Sequence, residues 1–152
     1  MSTIHLPVKH VQQPRIGECL PACAAMVLDY IGVSVRYRRL LRILEVIPNT
    51  GTASFKIRNL SQIGVNVLYE QGTLNRLHHQ LLNNHPCIVF VRTVELPYRN
   101  DDTDHALVVA GMDEQSIYLH DPESPTAPTK VSLGDFDLAW LERDELYAVL
   151  TV

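Results

Sequence analysis

From Cys19 to Ile31 nearly every residue is apolar, on all sides of a helical wheel, which predicts a helix packed all round by the rest of its domain, with Gly32 to end it. Three further helices are expected. Ser34 offers an N-cap for a second through about Leu44, with Leu40, Leu41 and Leu44 inward. Thr52 offers one for a third, in which Phe55, Ile57, Leu60 and Ile63 face the core and Gly64 marks the end. Thr73 opens a fourth, with Leu74, Leu77 and Leu81 at i, i+3 and i+7 and Asn83-Asn84 closing it. A strand, Val65 to Tyr69, lies between the last two.

The second half changes character. Cys87 to Val94, Ala106 to Gly111, Ser116 to His120 and Leu146 to Val152 are rich in Val, Ile and Leu and predict a sheet. A polar loop, Glu95 to Asp104, is long enough to border a cleft. A proline-rich excursion and a short Phe136 to Leu141 helix separate the last two strands, and Met1 to Ile16 is an extended lead-in without periodicity. Helices first and strands after predict an α+β fold, and 152 residues suit one domain, 1–152.

Charge and composition narrow the partners. A net charge of -4 gives no basic face for nucleic acid, and the one basic cluster, Arg36 to Arg42, alternates with apolar residues and reads as a solvated helix face. The apolar run from Leu20 to Ile31 is well short of the roughly 20 residues that span a bilayer, so no membrane span is expected. Three cysteines without a secretory signal predict free thiols in a cytoplasmic protein.

Position makes Cys19 a candidate nucleophile. It sits where an irregular segment becomes a helix, so its sulfur faces unpaired backbone N–H groups and the positive end of the helix dipole. A thiolate needs a histidine as base and acid, and the histidine needs a third group to orient it. Of seven histidines, His5, His10, His78, His79, His85 and His120 are expected at the surface. His105 instead opens an apolar strand just after Asp101-Asp102-Thr103-Asp104, at the rim of the sheet.

Hairpin geometry then selects its partner. If Asp113-Glu114-Gln115 forms a three-residue turn, Met112 faces Ser116, Leu107 faces Asp121, and His105 lies diagonal to Asp121 on one face. A turn of two or four residues puts the pair on opposite faces. Pro122 ends ladder pairing, so the carboxylate falls at a strand end. The oxyanion of a tetrahedral intermediate needs donors, for which the Cys19 backbone N–H and the amide of Gln13, or alternatively Gln12, are candidates. Cys19, Cys23, His105 and Asp121 also have the chemistry of a zinc set. Zinc sites recruit cysteines through a short knuckle, however, so Cys23, one helical turn on, reads more simply as a core thiol.

Gln13, the run Gly17-Glu18-Cys19-Leu20-Pro21-Ala22-Cys23, then Asp104-His105-Ala106-Leu107-Val108-Val109, then His120-Asp121-Pro122, resemble in order and spacing the papain-like bacteriocin-processing peptidases, cysteine-peptidase family thirty-nine. The resemblance extends over nearly the whole chain. It implies a papain-like fold, in which N-terminal helices with the nucleophile at the start of a buried helix pack on a mostly antiparallel sheet. It makes Cys19 the nucleophile, His105 the general base and acid, Asp121 the residue that orients the imidazole, and Gln13 part of the oxyanion hole, with no metal or organic cofactor.

It also implies a peptide or protein substrate, since the best-known members are exporter-fused domains that remove leader peptides after a pair of small residues. This chain reads as a freestanding member. Leu20 stands where the family usually has glycine, a larger side chain expected to narrow the cleft. Two other functions remain open: a peptide-binding module that keeps the cleft without the chemistry, and an amidase or transferase that forms the same acyl-enzyme from a non-peptide amide.

Overall fold

A computed structural model describes all residues, 1–152. The long apolar run forms helix α1, Cys19–Tyr30, buried from Leu20 to Leu28 apart from the partly exposed Ala25. Pro21 is tolerated because the first turn of a helix has no use for its missing N–H. The helix stops on a Schellman motif, with Val33 N donating to the Leu28 carbonyl at 2.9 Å and Gly32 N to Asp29 at 3.1 Å. Gly32 takes φ +79° there, which a residue without Cβ adopts freely.

Helix α2 spans Tyr37–Ile43, two residues later than the Ser34 cap predicts, and Arg36 takes the N-cap position without a side-chain bond. The partly buried Val33 and Val35 pack against the core and hold this stretch extended, leaving Ser34 exposed. The third predicted helix is a 3-10 helix, Ser54–Ile63. Thr52 does not cap it, since its hydroxyl donates to the Leu44 carbonyl at 2.6 Å. With three residues per turn the inward row is Ile57, Leu60 and the partly buried Ile63, and Phe55 falls off that row and is 50% exposed. Helix α3, Leu74–Leu82, starts as expected, with Thr73 Oγ1 accepting from Arg76 N at 3.0 Å, and α4 spans Leu133–Leu141.

Seven strands form one sheet: β1 Ile4–His5, β2 Asn66–Gln71, β3 Cys87–Arg92, β4 Asp104–Met112, β5 Ser116–His120, β6 Thr129–Ser132 and β7 Leu146–Thr151. Their order is β2-β7-β3-β4-β5-β6, every pairing is antiparallel, and β1 joins the end of β4 beyond the reach of β3. Neither β1, two residues long, nor β6, inside the proline-rich excursion, shows a strand pattern in sequence. Strands β3 and β4 are buried almost throughout, which requires cover on both faces of the sheet. Helix α1 packs on β3 and β4, α4 packs on β3, β5 and β6, and a single apolar core runs between the layers.

The β4–β5 register corrects the predicted turn. Met112 pairs with Ile117 rather than Ser116, and Asp113 N donates to the Ser116 carbonyl at 2.9 Å across a two-residue turn. Asp113 Oδ1 braces that turn by accepting from Gln115 N and Ser116 N. A bulge at Ala110 then absorbs one residue, so that Val109 faces Leu119 and Val108 faces His120. The parity lost at the turn is restored before the strand reaches His105.

Candidate active site

Cys19 is the first residue of α1, where the backbone N–H groups of the first turn have no helical partners. The two residues before it are tightly placed. Gly17, at φ +83°, lies against the backbone of Thr50 and Gly51, and an added Cβ would come within 2.8 Å of Gly51 N. Glu18 is buried and its carboxylate accepts from Arg15 Nε at 2.8 Å and from the Tyr37 hydroxyl at 3.0 Å, so α2 braces the segment that presents the thiol.

His105 is 3% exposed and Asp121 fully buried, and His105 Nε2 donates to Asp121 Oδ1 at 2.7 Å. The other ring nitrogen, Nδ1, makes no hydrogen bond; Glu123 Oε1 lies 3.8 Å from it, and Cys19 lines the same cleft as the imidazole. Burial alone would lower the imidazole pKa. The hydrogen bond to Asp121 and the interaction with Cys19 outweigh it and lift His105 from 6.5 to about 9. Burial likewise pushes the Asp121 carboxyl up, but the His105 bond and charge, the Glu123 N–H at 2.9 Å and the Tyr98 hydroxyl at 2.8 Å together hold it well below the usual carboxylate range.

Gln13 reaches the same cleft. Its backbone N–H donates to the Pro122 carbonyl at 2.7 Å, tying the lead-in to the Asp121 segment, and its Nε2 donates to the Arg15 carbonyl at 2.9 Å, leaving Oε1 buried without a partner. Gln12 is exposed and lines neither part of the cleft. Cys23 is buried in the core, where burial and then the nearby Cys19 and Asp121 raise its pKa and keep it a thiol. No three His, Cys, Asp or Glu side chains converge with the geometry of a metal site.

The cleft has two parts that meet at Cys19, Asp104 and His105. One, a cavity of 270 Å³, has Leu20, Ala53, Phe90 and Arg143 in its walls. The other, of 600 Å³, runs past Gln13, Gly51 and Glu123, with Ile16 and Ile47 at its exposed rim. Leu20 is 2% exposed and packs into the core while contributing to the wall of the first part, so it bounds that cavity rather than filling it.

Two expectations about the histidines fail. His78 is buried and Nε2 bonds the Ser2 carbonyl at 2.7 Å, because β1 and the lead-in fold over α3. His120 is buried against His10, ring centroids 5.6 Å apart, and burial followed by the His10 charge lowers its pKa to about 4. Sequence reasoning also missed Tyr98, Arg99 and Glu123, all in contact with Asp121. The polar loop Glu95 to Asp104 is legible as a cleft border, but no periodicity ranks the residues of a loop.

Solved structures carry the same fold. A C39-like peptidase from Bacillus anthracis superposes with a TM-score of 0.79 at 18% identity, covering 100% of this chain and 98% of the other. The peptidase domain of Streptococcus ComA, described as a bifunctional ABC transporter involved in quorum sensing, gives 0.75 at 20% identity, over 95% and 98%. A double-glycine-motif protease from an AMS/PCAT transporter, solved with the leader peptide, gives 0.75 at 18%, over 96% and 92%. No curated protein sequence matches the chain significantly. The model of the Peptidase C39 family matches residues 7–143, so the chain belongs to that family and is a cysteine peptidase.

Proposed function

We propose that Cys19 is the nucleophile, His105 its base and acid, Asp121 the residue that orients His105, and Gln13 with the Cys19 N–H the oxyanion hole. The observation that carries this reading is the buried Nε2–Asp121 bond of 2.7 Å, which leaves Nδ1 for the thiol at the start of α1. Asp121 favours the imidazolium, so His105 takes the Cys19 proton and an ion pair stands ready for the substrate.

The thiolate attacks the scissile carbonyl, and the oxyanion is held by the Cys19 N–H and the Gln13 amide, once that amide turns its N–H toward the cleft. Collapse transfers the imidazolium proton to the leaving amine and leaves a thioester. Water, deprotonated by the now neutral His105, then attacks the thioester, releases the acid and expels the thiolate, which restores the thiolate–imidazolium pair.

The substrate is a peptide segment cut after small residues, of the leader-peptide kind. Support comes from the solved relative that holds a leader peptide and from the larger cavity, in whose lining Gly17 and Gly51 pack backbone against backbone. One apolar core joins all the elements, which supports a single domain over 1–152. All three cysteines are free, in keeping with a cytoplasmic setting, and no helix is long and apolar enough to cross a membrane.

The test is incubation of wild type and Cys19→Ala with a synthetic leader-type peptide containing a Gly-Gly step, with products weighed by mass spectrometry. Cleavage after the small pair by wild type alone supports the reading. Cleavage by both proteins sinks it, as does binding of the peptide by both with no cleavage by either.

A further inference from the structure

We propose that Tyr98 and Arg99 are positioning residues for the reaction: they clamp the outer oxygen of Asp121, and the Arg99 charge offsets the pull of the carboxylates on the imidazole. This rests on the Cys19–His105–Asp121 reading above. Asp121 has four donors, two on each oxygen. Oδ1 accepts from His105 Nε2 and Glu123 N, while Oδ2 accepts from the Tyr98 hydroxyl and Arg99 Nη1, both at 2.8 Å. With both oxygens saturated the carboxylate cannot rotate, and the bond to His105 keeps one direction.

The loop that makes this clamp is anchored rather than loose. Leu96 is buried, Thr93 N donates to the Thr103 carbonyl at 2.9 Å, Thr103 N donates to Thr93 Oγ1 at 3.0 Å, and Thr93 Oγ1 donates to the Asp101 carbonyl at 3.2 Å. Arg99 is 10% exposed and its guanidinium is shared among three carboxylates: Asp121, Asp101 through Nε at 3.0 Å and Nη2 at 2.6 Å, and Glu123 at 3.0 Å. An arginine in that position cannot give up its charge.

The electrostatic consequence concerns the proton that catalysis must move. The imidazole faces Asp121 at 2.7 Å on one nitrogen and Glu123 at 3.8 Å on the other, and Cys19 lines the same cleft. Cys23 lies beneath in α1, and Asp104, next in the chain, is paired with Arg92 at 3.1 Å and Arg143 at 3.5 Å. Arg99 is therefore the one cation paired with both carboxylates that face the ring. Without it the imidazolium is held too tightly to surrender its proton to a leaving amine at neutral pH. The guanidinium lies within about 8 Å of Nε2, close enough in a buried site to move the titration of His105 by about one pH unit.

Arg99→Gln removes the charge, Arg99→Lys keeps it, and Asp101→Asn, at an exposed position, frees Arg99 to act more strongly on Asp121. Each protein, after a melting curve to confirm folding, is alkylated with iodoacetamide from pH 4 to 10.5, with Cys19 labelling rates read by mass spectrometry. In wild type the upper inflection, where the imidazolium loses its proton, is expected near 9. It should rise by about one unit in Arg99→Gln, stay within a few tenths in Arg99→Lys, and fall by a few tenths in Asp101→Asn.

An inflection that moves in neither Arg99→Gln nor Asp101→Asn, or moves in the same direction in both, overturns the proposal. Should Arg99→Gln not fold, the direction in Asp101→Asn decides alone. His105→Ala separates the two levels. If it leaves the wild-type profile unchanged, the underlying triad reading is at fault. If it abolishes the upper inflection while the Arg99 and Asp101 variants do not move it, only the positioning role fails.

Discussion

Asp121→Asn exchanges a buried charge for a neutral group of nearly the same shape, and its effect can be worked from the imidazole. His105 titrates at about 9 in the folded protein and at 6.5 in an unfolded, solvated chain, a difference worth about 3 kcal/mol to order of magnitude. That value is already net of the burial that opposes it, and Asp121 and Cys19 share it. Because the folded value is raised, the stabilisation is fully present below pH 6.5 and is lost as pH rises through about 9. The depressed pKa of Asp121 describes the same contact from its other partner. Its contribution is present above the ordinary carboxylate value and disappears only as pH falls through the lowered one.

Wild type should therefore lose about 3 kcal/mol of unfolding free energy between pH 6 and pH 9.5, and Asp121→Asn, which lacks the Asp121 share, should lose clearly less. Urea titrations followed by fluorescence of the single, buried Trp140 measure both. The two proteins differ at this one side chain, so the comparison isolates its contribution. Parallel stability curves across that range would refute the assignment of an imidazolium–carboxylate pair at this position.

Two other substitutions separate structure from chemistry. Thr73→Ala removes the cap of α3 and should cost about 1 kcal/mol of stability, seen as a lower urea midpoint, with peptide cleavage unchanged. Gly17→Ala places a methyl 2.8 Å from Gly51 N at a positive φ, and should lower kcat/KM at least about tenfold by displacing the backbone that leads into Cys19, with a smaller proportional change in melting.

The sequence made some parts of this molecule legible and hid others for physical reasons. An apolar run such as Leu20 to Leu28 has one outcome, burial, and the cap at Thr73 and the Gly32 stop are local chemistry that survives any tertiary context. Ser34 and Thr52 carry the same capping side chains, yet long-range contacts took precedence: the Val33 and Val35 packing in one case, the Leu44 carbonyl in the other. The 3-10 winding of Ser54–Ile63 was hidden because Ile57, Leu60 and Ile63 satisfy both periods, and only the exposure of Phe55 distinguishes them.

The His105–Asp121 contact is the instructive case. The two side chains meet although the turn expected to bring them together has one residue fewer, because that one-residue error at Asp113-Glu114-Gln115 is cancelled by the bulge at Ala110. Bulges leave no mark in a pattern of apolar residues when both neighbours are buried, as Val109 and Gly111 are here. The clamp on the far side of Asp121 was invisible for a different reason. It is made by a loop, where sequence distance says nothing about which side chain turns inward.

The most direct test of the central claim is competition among the three thiols for limiting iodoacetamide at pH 7, with each site quantified by mass spectrometry. Cys19 should react at least about a hundred times faster than Cys23 or Cys87, both buried and held as thiols, and His105→Ala should remove most of that advantage. Comparable rates at Cys19 and Cys23, or a Cys19 rate indifferent to the loss of His105, would contradict it.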